Sequence, residues 1–271
     1  PLNPPRGTLE RFFNLKILKT RMTFKDEFIS EKQLRKRTII SFSVFIVMIA
    51  FAIIGWKWLH KQPEDNGELK PLRKVLNNNE KIFSTFFSSN HLAKTFPLSR
   101  AVKNVRVNGG EGMSKDFDAS TWKLKVARAP GDTLLVTLDE IKALPKTEIV
   151  FDFKCIEGWS QITHWGGVKF SDFAKKYNLT PQTQMNYVGL ITPDKGYYVG
   201  IDMPAIMHPQ TLLCYEMNGK PLPMNQGYPL RLIIPVKYGI KHLKRIGSIF
   251  FSNERPPDYW YERGYDYYAG L

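Results

Sequence analysis

A chain of 271 residues has room for one good-sized domain or two small ones. Hydrophobic residues make up 43% and charged residues 24%, which places the bulk among globular rather than disordered sequences. Two cysteines exclude a disulfide scaffold and a four-cysteine zinc site, and neither common glycine-rich nucleotide fingerprint occurs. The formal net charge is +14. Residues 1–37 hold ten Lys/Arg against four Asp/Glu, so part of that excess sits in one short segment. The remainder points to an anionic ligand or an anionic membrane surface.

Residues 1–21 begin with Pro1 and show no periodic element. Met22 is the expected start, with the preceding stretch an upstream extension without function. The first strong signal is the run Ile39–Trp56, 18 residues without a charge, extending past Lys57 to Leu59. An apolar stretch of about 20 residues crosses a bilayer as a helix. No small-x-small cleavage pattern follows it, and Trp56 and Trp58 suit the membrane interface. Lys32, Arg35, Lys36 and Arg37 precede the run, while Pro63, Glu64 and Asp65 soon follow it. That bias puts the N-terminus in the cytoplasm and the long C-terminal part across the membrane, in the periplasm of a bacterium. A domain outside the cytoplasm is not expected to meet nucleic acid. Lys36-Arg37 reads as ordinary flanking charge, with a weakened twin-arginine export signal as the alternative.

Four regions follow: a basic cytoplasmic segment over 1–37, a transmembrane helix over 38–59, a linker and docking segment over 60–99, and a domain over 100–271. In the third, Gln62 to Gly67 is a breaker cluster, and Phe83, Phe86 and Phe87 are expected to dock on the domain or on the bilayer. In the fourth, Ala101–Val107 reads as extended and leads into the loop Asn108–Gly112. Trp122, Leu124 and Val126 alternate with lysines as a half-buried strand, and Thr133–Thr137 is a second. Thr137 and Glu140 form a capping-box pair for a short helix ending at Pro145. Glu148–Phe153 is a third strand. Ser171 is expected to cap a helix through Tyr177. Strands are expected over Tyr187–Ile191, Tyr197–Ile201, Leu212–Met217, Leu230–Val236 and Ile246–Phe251, with a helical turn at Pro204–His208. Short strands and brief helices without regular alternation argue for an α+β fold.

Cys155 follows the third strand and is preceded by Lys154, whose charge favours a thiolate. From the residues alone it is a small buried hydrophobe, a soft metal ligand, or half of a disulfide with Cys214. Lys237, Lys241, Lys244 and Arg245 read as a solvated basic face. His164 and His208 read as structural hydrogen-bonding residues without zinc-site spacing, though His164 could line an entrance near Cys155. Trp159 and Trp165 would make that entrance aromatic. The aromatic tail Tyr259–Tyr268 is expected to pack over the domain.

Lys154-Cys155-Ile156-Glu157-Gly158-Trp159-Ser160 resembles the molybdenum-ligand segment of the sulfite oxidase fold, in the branch of the catalytic subunit of periplasmic protein-methionine-sulfoxide reductase. Further stretches resemble that family in order: Trp165–Val168 as its next loop, Tyr187–Thr192, Met207–Leu212, Asn218–Pro223, Gln226–Arg231, Pro235–Lys241 and Ser252–Pro257. The resemblance covers roughly residues 100–265. It implies an α+β molybdopterin-binding fold and a molybdenum-molybdopterin cofactor with Cys155 as the protein ligand of the metal. Arg231 and Lys244 match positions that hold the cofactor. His242 and Leu243 would add backbone contacts, Thr192 and Gln226 match pterin-side positions, and Asn108, Glu111 and Gly112 match the N-terminal loop.

Two departures bear on the substrate. Gln226 stands where the reductase branch has Asn and sulfite oxidases His. Ile156, Glu157, Gly158 and Trp159 offer no cation where sulfite oxidases place an arginine. The resemblance therefore implies a membrane-anchored periplasmic oxidoreductase that transfers an oxygen atom, such as reduction of an S-oxide or N-oxide on a small molecule or a protein. The sequence contains no Cys-x-x-Cys-His haem motif, so electrons are expected from a separate membrane partner, a cytochrome or quinol-linked protein. The alternative is an exported, non-catalytic module on the same fold that binds the cofactor or a partner.

Overall fold

The computed structural model describes residues 30–271, so the expectations for residues 1–21 and Met22 lie outside the described residues. The chain divides into two units, one ending at Lys57 and the other running from Trp58 to Leu271. Helix α1, Glu31–Leu59, dominates the first and begins eight residues before the uncharged run, so the basic cluster lies on it. No residue of α1 is buried. It is long and apolar enough to cross a bilayer.

The second unit opens on a two-stranded ribbon, β1 (Glu64–Asp65) and β2 (Glu68–Leu69), and then helix α2 (Lys70–Thr85). The sequence reading has a loosely packed linker here. The helix forms because Pro71 starts it and because one face, marked by Arg73 and Glu80, is buried. Arg73 is the staple. Its guanidinium donates to the carbonyls of Asp65, Asn66, Tyr261 and Tyr265 at 2.7–3.3 Å and lies 4.2 Å from the Tyr261 ring centroid. Glu80 pairs with Arg255 at 2.5 Å. Of the three phenylalanines expected to dock, Phe87 packs on the core, while Phe83 and Phe86 remain exposed.

The rest of the unit is built on two five-stranded sheets, β3–β12, with three short helices. Strands β3 (Leu124–Ala129) and β4 (Asp132–Val136) lead to α3 (Leu138–Lys142). The expected capping box is present: Glu140 N–H donates to Thr137 Oγ1, and Thr137 N–H donates to Glu140. Next come β5 (Lys146–Lys154), β6 (Ser160–Lys169), α4 (Phe170–Lys176), β7 (Tyr187–Ile191), β8 (Tyr198–Asp202) and α5 (Met203–Ile206). The chain ends through β9 (Leu212–Met217), β10 (Lys220–Pro221), β11 (Arg231–Ile233) and β12 (Ser248–Ser252). One sheet has the order β10-β9-β6-β5, with β11 also on β9; the other has the order β4-β3-β12-β7-β8. All pairs are antiparallel except β12 with β3. The fold is α+β, as expected.

Alternation explains the first sheet. Ile149, Phe151 and Phe153 of β5 face one way and form a small core with Trp165, Leu212 and Cys214. The larger core joins Leu124, Val126, Phe170, Leu190, Ile201 and Leu232, among others. Three local expectations change. Trp165–Val168 is not a loop but part of β6, with a bulge between Gly166 and Gly167. A Cβ on Gly167 would come within 2.2 Å of the Leu213 carbonyl oxygen and 2.6 Å of Cys214 Cα, so the segment reads as loop-like while serving as a closely approached central strand. Ser171 does not cap α4. The helix starts directly from β6 with Lys169 at its N-cap position, because Phe170 is drawn into the core and its N–H bonds the Thr211 carbonyl. Ala101–Val107 forms no strand. It belongs to a strap that is pinned at intervals: Phe96 N–H to Val150 O, Val102 N–H to Ile162 O, and Arg106 N–H to Gln161 Oε1.

Replacing Arg73 by Ala leaves four carbonyls of the ribbon and C-terminal tail without their donor. The second unit should lose about 2–4 kcal/mol in chemical denaturation, with hydrogen exchange rising first in α2. An unchanged midpoint would show that α2 is held by other contacts.

Candidate active site

Nine-residue β5 projects Cys155 from its end into a tight turn. The Cys155 N–H bonds Trp159 O, and the Gly158 N–H bonds Cys155 O, with Gly158 at φ +87°. Both cysteines are free. Cys214 is fully buried and donates its thiol to the Gly166 and Glu216 carbonyls, so it is a structural residue of β9. Cys155 is 5% exposed, and the exposed part opens on a cleft that also has Asn108, Glu111, Arg231, His242 and Lys244 in its walls.

Burial pushes the Cys155 thiol up, opposed by the backbone N–H groups of Glu157 and Ile156 and by the charge of Arg106. The Asn108 side-chain amide donates to Cys155 Sγ at 3.6 Å. Arg231 opens β11 directly opposite Cys214 and is almost wholly buried, its guanidinium 4.7 Å from the Trp165 ring centroid and 5.6 Å from that of Phe153. Burial lowers its pKa to about 10. Its Nη1 donates to Gln226 Oε1 at 2.8 Å, but its Nε, also buried, has no partner among the described residues. Lys244 donates to the carbonyls of Asn108 and Gly109 at the end of the strap. Burial, and then the nearby Arg231 charge, lowers its pKa to about 8.

The other expected site residues fall elsewhere. Gln226 is buried behind Arg231, and its amide donates to the Val105 and Arg106 carbonyls. The Thr192 hydroxyl donates to Asp194 at 2.6 Å and accepts the Tyr197 N–H at 3.1 Å. Thr192 and Gly112 line a second cleft of about 570 Å³ with Asp194 and Arg245. The His242 ring is buried against Phe153, its Nε2–H donating to Lys237 O and its Nδ1 accepting the Ile234 N–H; burial pushes its pKa down to about 3. The Leu243 N–H bonds Lys241 O and its carbonyl accepts the Leu232 N–H, so this backbone is spent inside the fold.

The basic face is largely not one. Lys237 pairs with Asp202 at 2.6 Å, Lys241 pairs with Asp258, and both are buried. Arg245 is spent on the carbonyls of Ser114, Met224 and Tyr228. Only Lys244 of the four turns to the Cys155 cleft. His164 lies buried within β6, bonded to Glu148, and His208 bonds the His91 carbonyl. Neither lines the cleft.

Two residues that the sequence reading assigned to packing over the domain line the cleft, and one that it passed over stands beside it. Trp260 and Tyr265 of the aromatic tail form part of the cleft wall. Arg106 lies 4.6 Å from the Trp159 ring centroid, so a cation does reach the cysteine loop, from a segment nearly fifty residues upstream. No local pattern marks such a contact, because the strap forms no strand that spacing could reveal.

This arrangement fits a pterin-chelated metal. A soft sulfur ligand stands beside an orphaned, buried guanidinium Nε and a lysine, the donors that an anionic organic ligand needs. A family model described as oxidoreductase molybdopterin-binding domain matches residues 111–260. A putative protein-methionine-sulfoxide reductase subunit YedZ1 of Azospira oryzae is 36% identical over 186 residues, which are 68% of this chain and 70% of that one. The protein-methionine-sulfoxide reductase catalytic subunit MsrP of Xanthomonas campestris pv. campestris is 33% identical over 55% of this chain and 50% of its own length. The protein of the same description from Campylobacter jejuni is 29% identical over 59% of each chain. The chain thus spans about half to three-fifths of the two MsrP relatives.

The two thiols should separate in labelling of the cofactor-free protein. Cys155 reacts with iodoacetamide in the folded state, more slowly than an exposed thiol, and Cys214 reacts only after denaturation. Mass spectrometry of the modified peptides checks this; modification of folded Cys214 would contradict the assignment.

Proposed function

Because the chain belongs to the oxidoreductase molybdopterin-binding domain family, with molybdenum-molybdopterin as cofactor, we propose that it is a membrane-anchored reductase of S-oxides, acting across the membrane from its N-terminus. One observation carries this reading: the Cys155 sulfur, the unpartnered Nε of Arg231 and the amine of Lys244 meet at one cleft. When bound, the cofactor supplies oxygen-atom transfer, with molybdenum cycling between its +4 and +6 states.

The chain's own residues bind, orient and tune. Cys155 is the metal ligand. Asn108 donates to its sulfur and so withdraws electron density from the ligand, a recognised control on metal–thiolate potentials. Arg231 and Lys244 hold the anionic end of the cofactor. Lys244 would hold it with the donor that its two strap carbonyls leave free, and because burial lowers its pKa to about 8, the cofactor-free protein loses this charge, and with it uptake of the anion, as pH rises through that value. Phe153 and Trp159 exclude water from one side, Trp260 and Tyr265 from the other. Glu111 lines the same cleft, and Gln226 positions Arg231 from behind it.

That relatives are described as protein-methionine-sulfoxide reductase subunits supports methionine S-oxide as the substrate class. Helix α1, its flanking charges and its interfacial tryptophans support a single-pass inner-membrane anchor with the domain in the periplasm. Electrons come from a separate membrane partner, since the sequence has no haem-attachment motif.

The protein from a cofactor-competent host should carry about one molybdenum per chain and reduce methionine sulfoxide with a viologen donor. Cys155→Ser should lower turnover by more than about 100-fold while leaving the circular dichroism spectrum unchanged. Full activity in that variant, or no molybdenum in the wild type, would overturn the reading.

A further inference from the structure

Beside the Cys155 cleft stands an exposed cation, Arg106, over the face of Trp159, a residue of the cleft wall. Among the described residues the Arg106 guanidinium makes no hydrogen bond and no ion pair; it lies over the face of Trp159, and its charge acts on the Cys155 thiol. That platform is fixed. The Trp159 ring stacks on Phe153, with centroids 6.0 Å apart and an interplanar angle of 20°, and its Nε1–H donates to Glu157 at 3.0 Å. The Arg106 backbone is tied to Gln161 Oε1 at 2.9 Å, and the strap just beyond it is latched by Lys244. An arginine resting on an aromatic ring keeps the N–H groups at its edge for a second partner, and a fork held in place loses little freedom when it binds a carboxylate.

Glu157 does not cancel this charge. Its carboxylate is engaged at the edge of the ring, whereas Arg106 lies over the ring face, and no ion pair joins them. Trp260 and Tyr265 give the wall an aromatic part that suits the apolar part of a ligand, while the Glu111 carboxylate, also in the wall, acts on the charge of Lys244.

We propose that Arg106 is a specificity-determining residue that binds an anionic group, a carboxylate, carried on a short chain by the S-oxide substrate whose sulfur end enters the Cys155 cleft. This rests on the S-oxide reading above.

The test uses the full-length, molybdenum-loaded protein and two matched substrates, N-acetylmethionine sulfoxide and its neutral methyl ester. In the wild type the acid is preferred through KM. In Arg106→Ala that preference falls about tenfold, the loss expected of one charge-assisted contact, and Arg106→Lys restores part of it. Tryptophan fluorescence titration of the same proteins should show the same loss in Kd. An equal fall on both substrates would make Arg106 a support for Trp159 and overturn the proposal, as would an unchanged preference. Sulfite oxidation lost in Arg106→Ala would also overturn it, placing an oxyanion on Arg106 instead. If neither sulfoxide is reduced yet the acid binds in an Arg106-dependent way, the S-oxide reading fails and the anion site stands.

Discussion

A buried guanidinium without its full set of acceptors organises this molecule. Arg231 lies among Trp165, Phe153 and Cys214, where water cannot solvate it; its side chain lines the Cys155 cleft, and its Nε has no partner among the described residues. Stranding a donor of this kind costs a few kcal/mol. The fold tolerates it because the rest of the side chain is fixed: Gln226 takes Nη1, two aromatic faces take the positive plane, and β11 anchors the backbone to β9. The free donor is therefore aimed rather than disordered. A ligand carrying negative charge gains more from meeting it than from meeting a solvated arginine, whose water it would first have to displace.

The two sheets divide the labour. The sheet containing β5, β6, β9 and β11 carries the Cys155 sulfur, the proposed metal ligand, at the end of one strand and the guanidinium on another, so their separation is set by strand register. The bulge at Gly167, where β6 presses on β9, belongs to this spacing device. Lys244 comes from the chain between β11 and β12 and reaches the same cleft by gripping the strap. Residues from the strap, the end of β5, β11, the connection from β11 to β12 and the C-terminal tail thus line one cleft.

Much of the scaffold was legible. Alternation marks β3 and β5, a short apolar run marks β7, the Thr137–Glu140 pair marks α3, and the uncharged run marks α1, because each is a local pattern tied to a local conformation. Cys155, Arg231 and Lys244 were legible only through family resemblance. By composition, Lys244 cannot be told from Lys237 and Lys241, which the structure sends into buried ion pairs. Helix α2 was missed because its buried side is Arg73 and Glu80, a polar face that satisfies itself on tertiary partners. Strand β6 was missed because two central glycines read as a loop, when they are there to admit β9. Arg106 was missed because what matters is the ring beneath it, which sequence spacing does not reveal.

The strap has one more effect on the molecule. Strand β5 lies at the end of its sheet, and its outer side would be an open row of peptide groups if Thr95 and Phe96 did not bridge to Phe151 and Val150. Such a row invites another chain to add on. The same length of polypeptide runs on to place Arg106 and Asn108 beside Cys155. Peeling it away would bare a surface for polymerisation and dismantle the reaction centre in one event, so loss of solubility and loss of catalysis would share a single first step.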